Sequence, residues 1–126
     1  MDNRDIAKEW FEFGKRDLES ALFLLNMYPI PLEIICYHCQ QSAEKYLKGY
    51  IILMGGKSIK THDLTMLNRL CTQYSWDFKD IEDDCIELVN YGVQVRYPYE
   101  MMLEECDMKQ AIISAKRIEQ HIQNRI

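Results

Sequence analysis

Residues 31–56 read PLEIICYHCQQSAEKYLKGYIILMGG, and this stretch decides the fold. Ile35, Cys39, Ala43, Tyr46, Leu47, Tyr50 and Leu53 recur at steps of three and four with one step of one, so they line one face of a helix. Pro31 suits the entry, where a missing N–H costs little. Gly55-Gly56 suits the exit, because glycine accepts the left-handed geometry that ends many helices. The spacing therefore predicts a helix from about Leu32 to Met54.

On either side the same logic continues. About Asp5 to Met27 carries Ile6, Trp10, Phe13, Leu18, Ala21, Leu22 and Leu25 as a buried stripe, with a step of five across Gly14. Tyr28-Pro29-Ile30-Pro31 stops it, since proline cannot extend the hydrogen-bond ladder. After a loop to about Lys60, Thr61-His62-Asp63 offers polar caps to a third helix bearing Leu64, Leu67 and Leu70. A fourth is expected from about Phe78 to Tyr91, with Ile81, Cys85, Leu88 and Val89 inward. Residues 92–105 are mixed, and Pro98 holds them out of regular helix. Asp107 and Gln110 resemble a capping box opening a last helix to about Asn124, with Ala111, Ile112, Ala115, Ile118 and Ile122 on one face. Strand alternation, repeats and linkers are absent from the sequence. The expectation is all-α: an antiparallel up-and-down bundle of four to five helices, one domain spanning 1–126.

Composition narrows the function classes. The chain has 126 residues, a formal net charge of −5 and a pI of about 5.2, which argues against duplex nucleic acid as a whole-surface partner. No apolar run approaches the roughly 18 residues of a membrane span, and the N-terminus lacks the basic start and apolar stretch of a secretory signal. With Cys36, Cys39, Cys71, Cys85 and Cys106 read as reduced thiols, a cytoplasmic location is expected.

Most candidate chemistry reduces to packing. Cys36-Tyr37-His38-Cys39 has C-x-x-C spacing, but it falls inside a helix with no preceding strand, and no second ligand pair sits at zinc spacing. Ordinary core thiols are the simpler reading. Glu82-Asp83-Asp84 and Glu104-Glu105 read as a solvated face or helix-start charges. No metal or cofactor site is expected.

Two features ask for more. His38, Gln41, Lys45 and Lys48 follow steps of three, four and three, within the polar run His38, Gln40, Gln41, Glu44, Lys45 and Lys48, and so share a helix face. Such a face is either a polar seam of the bundle or a binding wall. Arg96 stands in Arg96-Tyr97-Pro98-Tyr99, where a proline-stiffened Arg can meet a carboxylate of a neighbouring helix or a phosphate. Tyr97 or Tyr99 could stack on a base. Trp10, Trp76 and eight Tyr either fill the core or build an interface.

Four stretches in order, RDLESALFLL (16–25), YHCQQSAEKYLKGYIILMG (37–55), THDLTML (61–67) and YGVQVRYP (91–98), resemble the HEPN family (higher eukaryotes and prokaryotes nucleotide-binding). The resemblance implies an antiparallel helical bundle that pairs as a homodimer and works beside a small nucleotidyltransferase, often in toxin–antitoxin pairs. Many relatives are metal-independent ribonucleases, using an Arg followed, after four to six residues, by a His for acid/base work. Counting on from Arg96 gives Met101, Met102 and Leu103, none of which moves a proton. The resemblance thus points to a non-catalytic or degenerate member. It would bind a nucleotide or RNA phosphate through Arg96, with Tyr97, Tyr99, His38, Gln41, Lys45 and Lys48 around it. The alternatives are a ribonuclease that borrows a His from elsewhere, and a purely structural interaction module.

Overall fold

A computed structural model describes residues 2–93 and 102–126. Among them are five helices and no strand: α1 (Asn3–Phe23), α2 (Leu32–Leu53), α3 (Leu64–Tyr74), α4 (Glu82–Val89) and α5 (Glu105–Gln123). Short 3₁₀ turns, Leu24–Asn26 and Trp76–Ile81, follow α1 and precede α4. No helix among these residues is long and apolar enough to cross a membrane.

The ends follow capping chemistry. Asp2 accepts the Asp5 N–H at 2.9 Å to start α1. Asp63 accepts the Thr65 N–H at 3.0 Å to start α3. Helix α5 is capped three residues earlier than expected. Asp107 does not cap it; instead its carboxylate reaches back to the Glu104 N–H at 2.9 Å, which makes Glu104 the cap. Residues 76–81, expected in part as α-helix, tighten into 3₁₀ geometry. There the Glu82 N–H bonds Lys79 O, while buried Asn68 donates to Phe78 O at 3.1 Å.

The inward stripe of α1 also differs from expectation. Ala7, Gly14, Leu18 and Ala21 are buried, whereas Phe13 and Leu25 are exposed. The cause is close approach. A Cβ on Gly14 would sit 2.8 Å from Tyr46 Cδ2, and one on Gly49 would sit 2.6 Å from Phe11 Cε1. Each glycine is the hole that the facing ring fills. Phe11 and Tyr46 stack at 5.8 Å between centroids.

Helix α2 is the axis: 22 residues, 14 of them buried. It packs on each of the other four helices, most extensively on α1 and then α5. Paired positions give the directions. Phe11 meets Gly49, and Asp17 meets His38, so α1 runs against α2. The link 54–63 then returns along α2: Gly56 lies by Ile51, and the His62 carbonyl by Gln40. Helix α3 consequently runs alongside α2 in the same sense, with Cys71 Sγ 3.7 Å from Leu47 O. The core centres on Tyr46, Leu47, Leu64, Leu67, Phe78 and Ile118. Of the aromatic load, Tyr46 and Tyr50 are buried, and Trp76 lies on the surface against Lys79.

Candidate functional site

The polar row of α2 folds into two carboxylate-centred clusters. In the first, α1 supplies Asp17. His38 Nδ1 bonds Asp17 Oδ1 at 2.9 Å, and Lys45 bonds the other carboxylate oxygen. All three side chains are partly buried. The two α2 residues are seven apart, two turns of one helix face, so one carboxylate from the antiparallel neighbour spans them.

The second cluster centres on Glu44, only 4% exposed. Lys48 Nζ donates to Glu44 Oε2 at 3.0 Å, one turn along the helix. Gln40 Nε2, one turn back, donates to Oε1 at 3.3 Å. The returning link adds His62, whose Nδ1 lies 3.0 and 3.1 Å from the two carboxylate oxygens. Gln40 Nε2 also donates to the His62 carbonyl at 3.1 Å, and Gln40 Oε1 accepts from Gln41 at 2.8 Å. Lys48 is 8% exposed and stands over the Trp10 ring at 5.7 Å. A buried carboxylate needs this many partners, because an unpaired one costs several kcal/mol.

The chemistry of the two histidines follows from the acceptors. A carboxylate paired with an ammonium only accepts hydrogen bonds, so each Nδ1 carries the hydrogen. Among the described residues Nε2 has no hydrogen-bond partner in either His38 or His62. The His62 side chain is three-quarters exposed.

The structure thus divides the predicted face. His38 and Lys45 go to Asp17; Lys48 goes to Glu44; Gln41 joins the second cluster through Gln40. Both ammonium groups are locally neutralised, so the row is not a bare cationic patch. Arg96, Tyr97 and Tyr99 lie outside the described residues. Gly92, four positions before Arg96, packs on the second cluster: a Cβ there would sit 3.1 Å from Gln40 Cδ and Nε2.

Sequence reasoning missed Asp17 and His62 as site residues, and placed Glu44 in the polar run of α2 without showing that it is the centre of a cluster. Asp17 had a readable signal, an acid one turn after Gly14 at the edge of the α1 seam. His62 had none, because its place depends on the path of the link.

Elsewhere the chemistry is structural. Cys36, Cys39, Cys71 and Cys85 are buried free thiols. Burial pushes the Cys36 and Cys39 thiols up to about 12, far from the range of a reactive thiolate. Burial raises Tyr46 strongly too, and its hydroxyl donates to Glu119 at 2.8 Å. Asp84, read from sequence as part of a solvated face or as a helix-start charge, lies in the first turn of α4 and is buried. Arg117 Nε stands 3.4 Å away as its ion-pair partner, without hydrogen-bond geometry. At the far end of the bundle, Asp77 binds Arg125 and accepts from Ser75 Oγ at 2.6 Å, which holds its carboxyl down at about 2. Burial lowers His121 beside them. No group of three or more metal-ligating side chains forms among the described residues.

The chain matches known proteins over nearly its whole length. The HEPN domain family profile matches residues 7–125. The archaeal HEPN homologue ST0689 superimposes with a TM-score of 0.73 at 24% identity, covering 94% of this chain and 96% of the other. TT1696 from Thermus thermophilus gives 0.75 at 22%, covering 95% and 98%. The comparison with curated proteins gives no match. With its helical bundle, the α2 row and a family match over 7–125, this chain belongs to the HEPN domain family.

Proposed function

We propose that the chain is a non-catalytic HEPN module, cytoplasmic and homodimeric, that binds a nucleotide or RNA phosphate and serves a partner protein, a small nucleotidyltransferase in a toxin–antitoxin-like pair. The observation that carries the reading is the Gln40–Glu44–Lys48–His62 network with Gly92 packed against it. This is a rigid polar wall next to the segment that holds Arg96 in sequence. Arg96 supplies the charge that Lys45 and Lys48 have already spent on Asp17 and Glu44. His62 offers a nitrogen to the same ligand, and Tyr97 or Tyr99 a stacking face.

Titration of wild type and Arg96→Ala with a nucleotide tests the reading. Saturable binding by wild type, weakened at least tenfold by the substitution, is expected. Equal, negligible binding in both would remove it. Light scattering tests the dimer, and co-purification with the product of a neighbouring nucleotidyltransferase gene tests the partner.

The Glu44–His62 pair favours one second reading, a metal-independent endoribonuclease. His62 would move the proton that Met101, Met102 and Leu103 cannot. It predicts RNA cleavage in EDTA that disappears in both Arg96→Ala and His62→Ala. Intact RNA at high protein concentration would eliminate it.

A further inference from the structure

The Asp17 cluster borders a groove that the proposed function does not use. Arg16, Glu19, Ser20, Phe23 and Leu24 of the α1 end and His38 of α2 line an open depression of about 660 Å³. Three observations make it more than a surface dip. First, His38 is positioned: Asp17 holds Nδ1 and Lys45 holds Asp17, while His38 lines the groove and its Nε2 has no hydrogen-bond partner among the described residues. Second, Arg16 stands exposed on the wall, its guanidinium 5.2 Å from the Phe13 ring centroid. Third, Phe23 is 75% exposed beside half-buried Leu24, an apolar shelf next to the polar pair.

We infer that this groove binds a small organic anion with a flat apolar body, its head group on Arg16 and His38 and its body against Phe23 and Leu24. An Arg fork and an imidazole suit a carboxylate or a phosphate head equally. The shelf suits a ring or a short aliphatic chain. Charge selects against larger partners. Glu19 on the same wall offsets Arg16, and Lys45 is neutralised by Asp17, so the site supports one compact anionic group and disfavours a polyanion such as RNA. The open shape predicts modest affinity.

The test uses the full chain and NMR titration with phenyl phosphate, phenylacetate and inorganic phosphate. Saturable shifts of the His38 ring and of the Ser20 and Phe23 amides are expected with the two ring-bearing probes, and much weaker ones with inorganic phosphate. The stronger of the two ring-bearing probes identifies the head group. Arg16→Ala is expected to weaken binding at least tenfold. Phe23→Ala is expected to bring the ring-bearing probes down to the level of inorganic phosphate. Both side chains are exposed, so both variants keep the fold, which circular dichroism checks. Arg96→Ala is expected to leave these shifts unchanged, which separates this groove from the site proposed above. Absent or non-saturating shifts, shifts indifferent to Arg16→Ala, or shifts lost in Arg96→Ala would each overturn the inference.

Discussion

The Asp17 and Glu44 clusters use the same parts, a carboxylate, a lysine and a histidine, in opposite surroundings. Asp17 joins two helices at a half-wet edge, where its lysine and histidine each keep about a quarter of their side-chain surface. Glu44 joins one helix to a returning link, and its lysine is nearly as buried as itself. In water a charge that loses its partner finds solvent; in the interior it finds nothing. The first cluster can therefore exchange partners with a ligand, while the second is a rigid frame whose outer edge alone, His62 Nε2, is available.

The sharpest way to break this contrast is to remove each lysine in turn. Lys48→Met leaves Glu44 buried without its ammonium and is expected to cost about 3–5 kcal/mol, read by urea unfolding. Lys45→Met is expected to cost no more than about 1 kcal/mol, as for a solvent-screened pair. Equal costs would show that burial does not separate the clusters. Pairing Lys48→Met with Glu44→Leu should recover most of the loss, because the buried charge goes with its partner.

A smaller effect tests the seam that holds both clusters in register. Gly49→Ala pushes a methyl into the Phe11 ring and is expected to destabilise by about 1–3 kcal/mol. Trp10, whose Cβ would lie 3.0 Å from that methyl, should change its fluorescence as its ring over Lys48 shifts.

Smaller again is Asp17→Asn, expected to change stability by less than about 1 kcal/mol while moving the His38 ring resonances. His62 resonances should stay in place. If both histidines respond, the two clusters are one network.

The smallest effect is a pH dependence at a third carboxylate. Asp77 is held at about 2 in the fold against an ordinary 3.8, mainly by hydrogen bonds from Arg125 and Ser75. A depressed carboxyl stabilises the fold above its unfolded value. That contribution is present above about pH 4 and is lost as the pH falls toward 2. Asp77 is well exposed, so solvent screening keeps the loss small. Asp77→Asn should flatten the acid limb of the stability profile in that window, lowering stability slightly at pH 7 and leaving it unchanged near pH 2.

Much of the fold was legible because it rests on local rules. Pro31 and Gly55-Gly56 bracket α2, Asp63 caps α3, and the steps of three and four place Leu64, Leu67, Leu88 and Ile118 in the core. What was not legible depends on distance between segments. Spacing aligned His38 with Lys45 correctly but could not show that Asp17 faces them. It put Phe13 inward, where Gly14 takes the seam because Tyr46 fills the space. The site was half legible for the same reason. The α2 row is a property of one helix; its partners come from α1 and from a link whose direction no local pattern encodes.

The returning link has a consequence for the order in which the molecule assembles. The α1–α2 pair joins neighbours in sequence across a short connection, and contacts of that kind form early. His62 reaches Glu44 only after the link has doubled back and α3 has docked. Until then Glu44 and Lys48 sit on the rim of a two-helix hairpin with water to serve them. The burial that makes this cluster rigid is therefore among the last events of folding. Substitutions in it should speed unfolding while leaving the folding rate nearly unchanged.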